Sequence, residues 1–169
     1  MDARNEGKTT PAKNRATVER KSDRELVVTR TINGPAHLVF EAWTKAELFK
    51  RWWVPKSAGL SLVSCEMDVR VGGGYRLVFA LEGSKTMAFF GKYLEVTPPS
   101  RLVWTNDEGG EGGPVTTATF EEKAGQTLVV LHELHSSKDS LDAGMGAYDA
   151  IDETFDQLDE LLTTLGANR

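Results

Sequence analysis

A chain of 169 residues with 40% apolar and 27% charged side chains reads as one domain with a short appendage, able to bury a core without disulfides or a structural metal. The single cysteine, Cys65, excludes an internal disulfide framework and a Cys-rich zinc site, and no apolar run approaches the roughly 20 residues of a membrane span. Net charge is −5, yet residues 1–24 carry seven basic and four acidic side chains while 25–169 carry 13 and 21, so the folded part, at −8, repels nucleic acid.

Residues 1–23 contain one valine, no aromatic side chain and no period, which predicts a disordered tail ahead of a domain over 24–169. No apolar core follows the basic residues at the N-terminus, so no secretory signal is expected and the expected location is cytoplasmic. The run RELVVTRTI at 24–32 predicts a first strand, broken by Asn33, Gly34 and Pro35. Pro35 suits the first turn of a helix with Leu38, Val39, Ala42 and Trp43 on one face, and a second short helix over 45–53 ends before Pro55. Alternating apolar residues then predict strands over 60–70, 74–82, 87–97, 101–107, 115–123 and 127–136, separated by glycine- and proline-rich breaks. Short connections make these an antiparallel meander, and the absence of βαβ alternation excludes a doubly wound sheet.

The last segment predicts a single helix, capped by Asp139 or Ser140. Tyr148, Ile151, Phe155, Leu158, Leu162 and Leu165 form one apolar stripe, with Asp149, Asp152, Glu153, Asp156, Asp159 and Glu160 covering the other side. Such a helix must lie on the apolar face of the sheet. The fold class is therefore α+β.

Four motifs carry a family resemblance. GPAHLVFEAWTKAELFKRWWVPKSAG at 34–59, MDVRVGGGYR at 67–76, GKYLEVTPPSRLVWT at 91–105 and FDQLDELLTTL at 155–165 occur in this order. The chain resembles the START-like (SRPBCC) superfamily, in the branch named for the activator of the heat-shock-protein-90 ATPase. The resemblance covers 24–166 and implies a helix-grip fold, a curved antiparallel sheet around a long C-terminal helix with two short helices after the first strand. It implies an apolar cavity between sheet and helix, holding a small hydrophobic or amphipathic ligand such as a lipid without catalysis. Two alternatives follow from the superfamily: a stress-response factor partnered with a chaperone, and a cyclase- or hydrolase-like enzyme using Glu133 and His135. Ile151 stands where the family often carries Trp, and 23 residues cannot replace the separate chaperone-binding domain of human-type activators.

Strand alternation supplies the candidate cavity wall: Tyr75, Leu77 and Phe79, then Trp104, then Ala118 and Phe120. Met145, Tyr148, Ile151 and Phe155 form the facing wall, with Trp52 and Trp53 at one end. The same residues also fit a filled core. On the strand 127–136, Glu133 and His135 share a face with Val129 and Leu131, and His132 lies on the other. A His–carboxylate pair facing inward could orient a ligand hydroxyl or move a proton. The opposite parity, with Leu128, Val130 and Leu134 inward and the pair in water, is the one expected. His132 and His135 point to opposite faces, so no metal site is expected, and no cofactor. Cys65 reads as a structural thiol, Gly72–Gly74 as a hairpin turn and His37 as a solvent-facing residue.

Overall fold

The computed structural model describes residues 15–167, apart from Glu82, Gly109 and Glu111. In chain order it comprises β1 (Thr17–Arg20), β2 (Glu25–Ile32), α1 (Ala36–Thr44), α2 (Ala46–Phe49), β3 (Ser61–Met67), β4 (Gly74–Ala80), β5 (Thr86–Thr97), β6 (Arg101–Thr105), β7 (Val115–Lys123), β8 (Gln126–Leu134), α3 (Lys138–Gly144) and α4 (Ile151–Ala167). All pairings are antiparallel, in one eight-stranded sheet of order β1-β2-β8-β7-β6-β5-β4-β3. The helix-grip fold is the observed one, and the meander boundaries agree with the alternation to within a few residues.

The sheet curves because β5 changes partner along its length. Thr86–Lys92 pair with β4, Tyr93–Thr97 pair with β6, and the register shifts between Tyr93 and Glu95. At this corner a Cβ on Gly91 would lie 1.9 Å from the Thr105 carbonyl oxygen, so only glycine lets the strands approach. The concave face carries Leu26, Val28, Leu102, Ala118, Phe120, Val129 and Leu131, all buried. Phe155, Leu158, Leu161 and Leu162 of α4 cover it, together with an aromatic cluster of Trp43, Phe49, Trp52 and Trp53 from the α1–α2 region.

Polar contacts on both flanks hold α4 in place. Arg30, buried on the concave face of β2, reaches Asp156 at 3.0 Å and Asp159 at 2.8 Å, and its guanidinium lies 5.9 Å from the Phe155 ring centre. On the far flank Gln157 donates to the carbonyls of Trp52 and Val54 at 2.9 Å, and Glu153 accepts from Ser57. The acidic side of the helix is thus partly an attachment surface. Burial, the largest influence, raises the Asp159 carboxyl despite Arg30 and the Asn33 amide beside it.

Two expectations are corrected. Order begins before residue 24, because Thr17–Arg20 pair with Leu26–Thr29, and the Ala16 amide donates to Asp152 at 2.7 Å. The backbone of β2 offers an open edge, so a strand forms there without apolar anchors of its own. Residues 1–14 of the expected tail lie outside the described residues. The terminal helix is also not continuous. Its first part is α3, capped by the Ser137 side chain accepting from the Ser140 amide, followed by a 3₁₀ turn over Met145–Tyr148 and only then α4. Gly144 and Gly146 flank this break, where helix propensity is weakest.

Candidate functional site

Strand register places one row of side chains across the concave face: Leu26, Glu133, Thr116, Trp104 and Tyr93. Leu26, Thr116 and Tyr93 are buried, whereas Glu133 and Trp104 are half-buried. Met145, Tyr148 and Ile151, carried by the 3₁₀ turn and the start of α4, are half-buried too. Farther along α4, Phe155, Leu158 and Leu162 are closed off completely. The side chains at one end of the sheet–helix interface are thus fully covered, and those at the other end only partly.

At the partly covered end, Glu133 and His135 point inward, against the expected parity. His135 is 4% exposed and Leu134 37%, while Val129 and Leu131 are buried beneath them. Both faces of β8 carry branched apolar residues, so periodicity could not separate them. The neighbouring strands decide, because Leu26 and Val28 pair with Glu133 and Leu131 and must share their face. His132 lies on the convex face, 2.9 Å from Glu25, where the hydrogen bond holds the Glu25 carboxyl below its ordinary range. Among the described residues no group of three or more His, Cys, Asp or Glu is placed to hold a metal.

A hydrogen-bond chain links four side chains. Glu133 Oε1 lies 2.5 Å from His135 Nε2, its Oε2 accepts from the Tyr148 hydroxyl, and His135 Nδ1 lies 2.7 Å from Ser140 Oγ. A carboxylate only accepts, so His135 Nε2 donates to Glu133, and Nδ1 shares the second hydrogen bond with the Ser140 hydroxyl. Burial first, and then the Glu133 charge, push the Tyr148 phenol far above its ordinary value, which keeps it a donor. Beside this chain, Asn106 donates to Thr116 Oγ1 at 3.0 Å, and the Tyr75 hydroxyl lies 3.3 Å from Asn106 Oδ1 and donates to the Thr105 carbonyl at 2.8 Å.

The other sequence candidates divide in two. Leu77, Phe79, Ala118, Phe120, Leu131 and Phe155 are buried in the continuous core. Trp52 is a core anchor, fully buried with Nε1 donating to the Ala42 carbonyl at 2.9 Å and its ring stacked over Phe155. Trp53 is half-buried and stacks on Phe49 at 4.8 Å, so the two tryptophans sit with the α1–α2 aromatic cluster rather than with Glu133. Sequence reasoning missed Tyr93, Asn106 and Thr116, since threonine suits either face of a strand. It also read Ser140 as a helix cap, although its closeness to His135 in the chain was a usable signal. Cys65 is half-buried in β3, with burial raising its thiol, and the segment Asp68–Gly73 makes the β3–β4 turn, with Arg70 Nε 2.9 Å from Asp68.

Solved structures share this architecture. A protein from Rhodobacter sphaeroides superposes with a TM-score of 0.80 at 20% identity, covering 89% of this chain and 99% of that one. A protein from Nitrosomonas europaea gives 0.75 at 26% identity, covering 88% and 99%. A protein from Aeromonas hydrophila described as AHSA1-like gives 0.61 at 20% identity, covering 80% and 94%. No curated protein matches the sequence. Residues 33–163 match the family described as Activator of Hsp90 ATPase homolog 1-like protein, and the chain belongs to that family.

Proposed function

We propose that this domain binds a small apolar or amphipathic molecule at the partly covered end of the sheet–helix interface, against Met145, Tyr148, Ile151 and Trp104, and does no chemistry on it. The observation that carries the reading is an inward-facing carboxylate–imidazole pair, Glu133 with His135, set among apolar side chains that are only half covered. A packed core gains nothing from such a pair, because desolvating it costs more than an apolar replacement. A ligand site uses it, since apolar walls supply affinity and a few polar groups supply orientation. The family supports ligand binding in general terms.

Ile151→Trp tests the reading. The larger ring should abolish binding of an environment-sensitive apolar dye and leave thermal unfolding unchanged or raised, through added buried area. Unaltered dye binding would overturn the proposal. So would a destabilisation of about 1–3 kcal/mol, the usual penalty for overpacking a site that is already full. Mass spectrometry of natively purified protein would reveal a retained small molecule directly.

The chain from Ser140 through His135 to Glu133 favours one second reading, acid–base work on a bound ester. Hydrolysis of nitrophenyl esters by the purified protein, lost in both Ser140→Ala and Glu133→Gln, would replace the binding reading with this one.

A further inference from the structure

We propose that the occupant of this site carries a cationic amine or a comparable hydrogen-bond donor on an apolar body, and that a free carboxylate is rejected. The inference rests on the binding reading above and follows from the uncommitted atoms at the site. Glu133 has about four lone-pair positions on its two oxygens. His135 occupies one on Oε1 and Tyr148 one on Oε2, which leaves one on each oxygen. Its side chain is 17% exposed, so it is not sealed from solvent. Among the described residues, no lysine or arginine pairs with Glu133, whose side-chain partners are His135 and Tyr148.

Arg30, the buried cation on the same face, has its charge offset by three carboxylates, Asp159 at 2.8 Å and Asp156 at 3.0 Å from Nη2 and Asp152 at 3.9 Å from Nη1, so it presents no net positive charge to an anionic ligand although Nη1 makes no hydrogen bond. The other polar groups nearby are hydroxyls and an amide already bonded to backbone or to one another. The site therefore lacks a partner for an anion and holds a partner for a cation. Tyr148, whose hydroxyl meets Glu133, adds aromatic surface of the kind that attracts ammonium groups, with Trp104 two strands away in the same row. Residues 25–169, at −8, further steer cations toward the surface and turn anions away. A ligand ammonium donating to Glu133 would make a charge-assisted hydrogen bond, about twice as strong as a neutral one.

Displacement of the bound apolar dye from the full-length protein by decylamine, decanol and decanoate separates the cases, because the three share one apolar chain. Decylamine should displace the dye at a concentration at least about tenfold below decanoate, with decanol between them. Glu133→Gln should erase the amine's advantage and leave decanol unchanged. Tyr148→Phe frees Oε2 and should preserve or increase the amine's advantage, which keeps the idea testable should Glu133→Gln fail to fold. Decanoate displacing as well as decylamine would overturn the inference while leaving the binding site standing. Failure of all three to displace, together with no direct binding, would remove the site and the inference together.

Discussion

Phe155→Ala probes the contact on which the grip depends. Phe155 is 1% exposed, its ring stacked 6.5 Å from Trp52 at 20° and 6.3 Å from Trp43, beneath the Arg30 guanidinium at 5.9 Å. Removing the ring forfeits about 2 kcal/mol of transfer free energy. Trp43, Trp52, Phe120 and Leu158 belong to separate elements and cannot collapse far into the gap, so a residual cavity of roughly 80 Å³, at about 24 cal/mol per Å³, adds about 2 kcal/mol. Loss of the Arg30–ring contact contributes about 0.5–1 kcal/mol more. The expected cost is about 4–5 kcal/mol, read as a lower urea midpoint with an unchanged slope. A cost below about 1.5 kcal/mol would refute the reasoning, because it would mean that the ring faces space rather than a packed core.

Arg30→Leu should cost about 2–4 kcal/mol, since it strands Asp156 and Asp159 beside each other with only partial access to water. Loss of the cation pushes the already raised Asp159 carboxyl further up, so the folded state holds a proton that the unfolded state releases above about pH 4, and stability falls as pH rises through that window. The deficit of the variant should therefore shrink between pH 7 and pH 4, and a deficit independent of pH would count against the pairing. All three tyrosines, Tyr75, Tyr93 and Tyr148, are held protonated, chiefly by burial. The folded state thus loses stability above about pH 10, the unfolded value, and tyrosinate absorbance should appear only with unfolding. A tyrosine titrating reversibly near 10 in the native protein would contradict this. Deleting residues 1–22 removes β1 and the Ala16–Asp152 bond; at about 0.5–1 kcal/mol net for each of a few hydrogen bonds, the loss should be about 1–3 kcal/mol, and an unchanged melting midpoint would show that β1 adds nothing.

Much of the architecture is legible in the chain itself. Alternation located β3 to β8, the four ordered motifs identified the family, and the spacing of Phe155, Leu158 and Leu162 picked out the buried side of α4. These are local signals: a period of two or 3.6 residues, and breaks at glycine and proline, need no knowledge of what lies opposite. They also make the stretch around Met145, Tyr148 and Ile151, where small residues interrupt the bulky ones, the place to expect less complete packing.

The chemistry of the site was decided elsewhere. Val129–Leu131 and Leu128–Val130 are equally apolar, so periodicity leaves β8 free to flip, and pairing with Leu26 and Val28 a hundred residues earlier turns Glu133 and His135 inward. Tyr148 meets Glu133 because the chain leaves α-helical geometry after Gly144, and Arg30 meets Asp156 and Asp159 across more than a hundred residues of sequence. β1 exists because β2 has an edge to offer, which the two β-branched residues Thr17 and Val18 do not announce by themselves. A residue's spacing shows which side chains share a face. Which face is buried, and which charges meet there, depends on what other elements bring to it, and only the tertiary structure contains that.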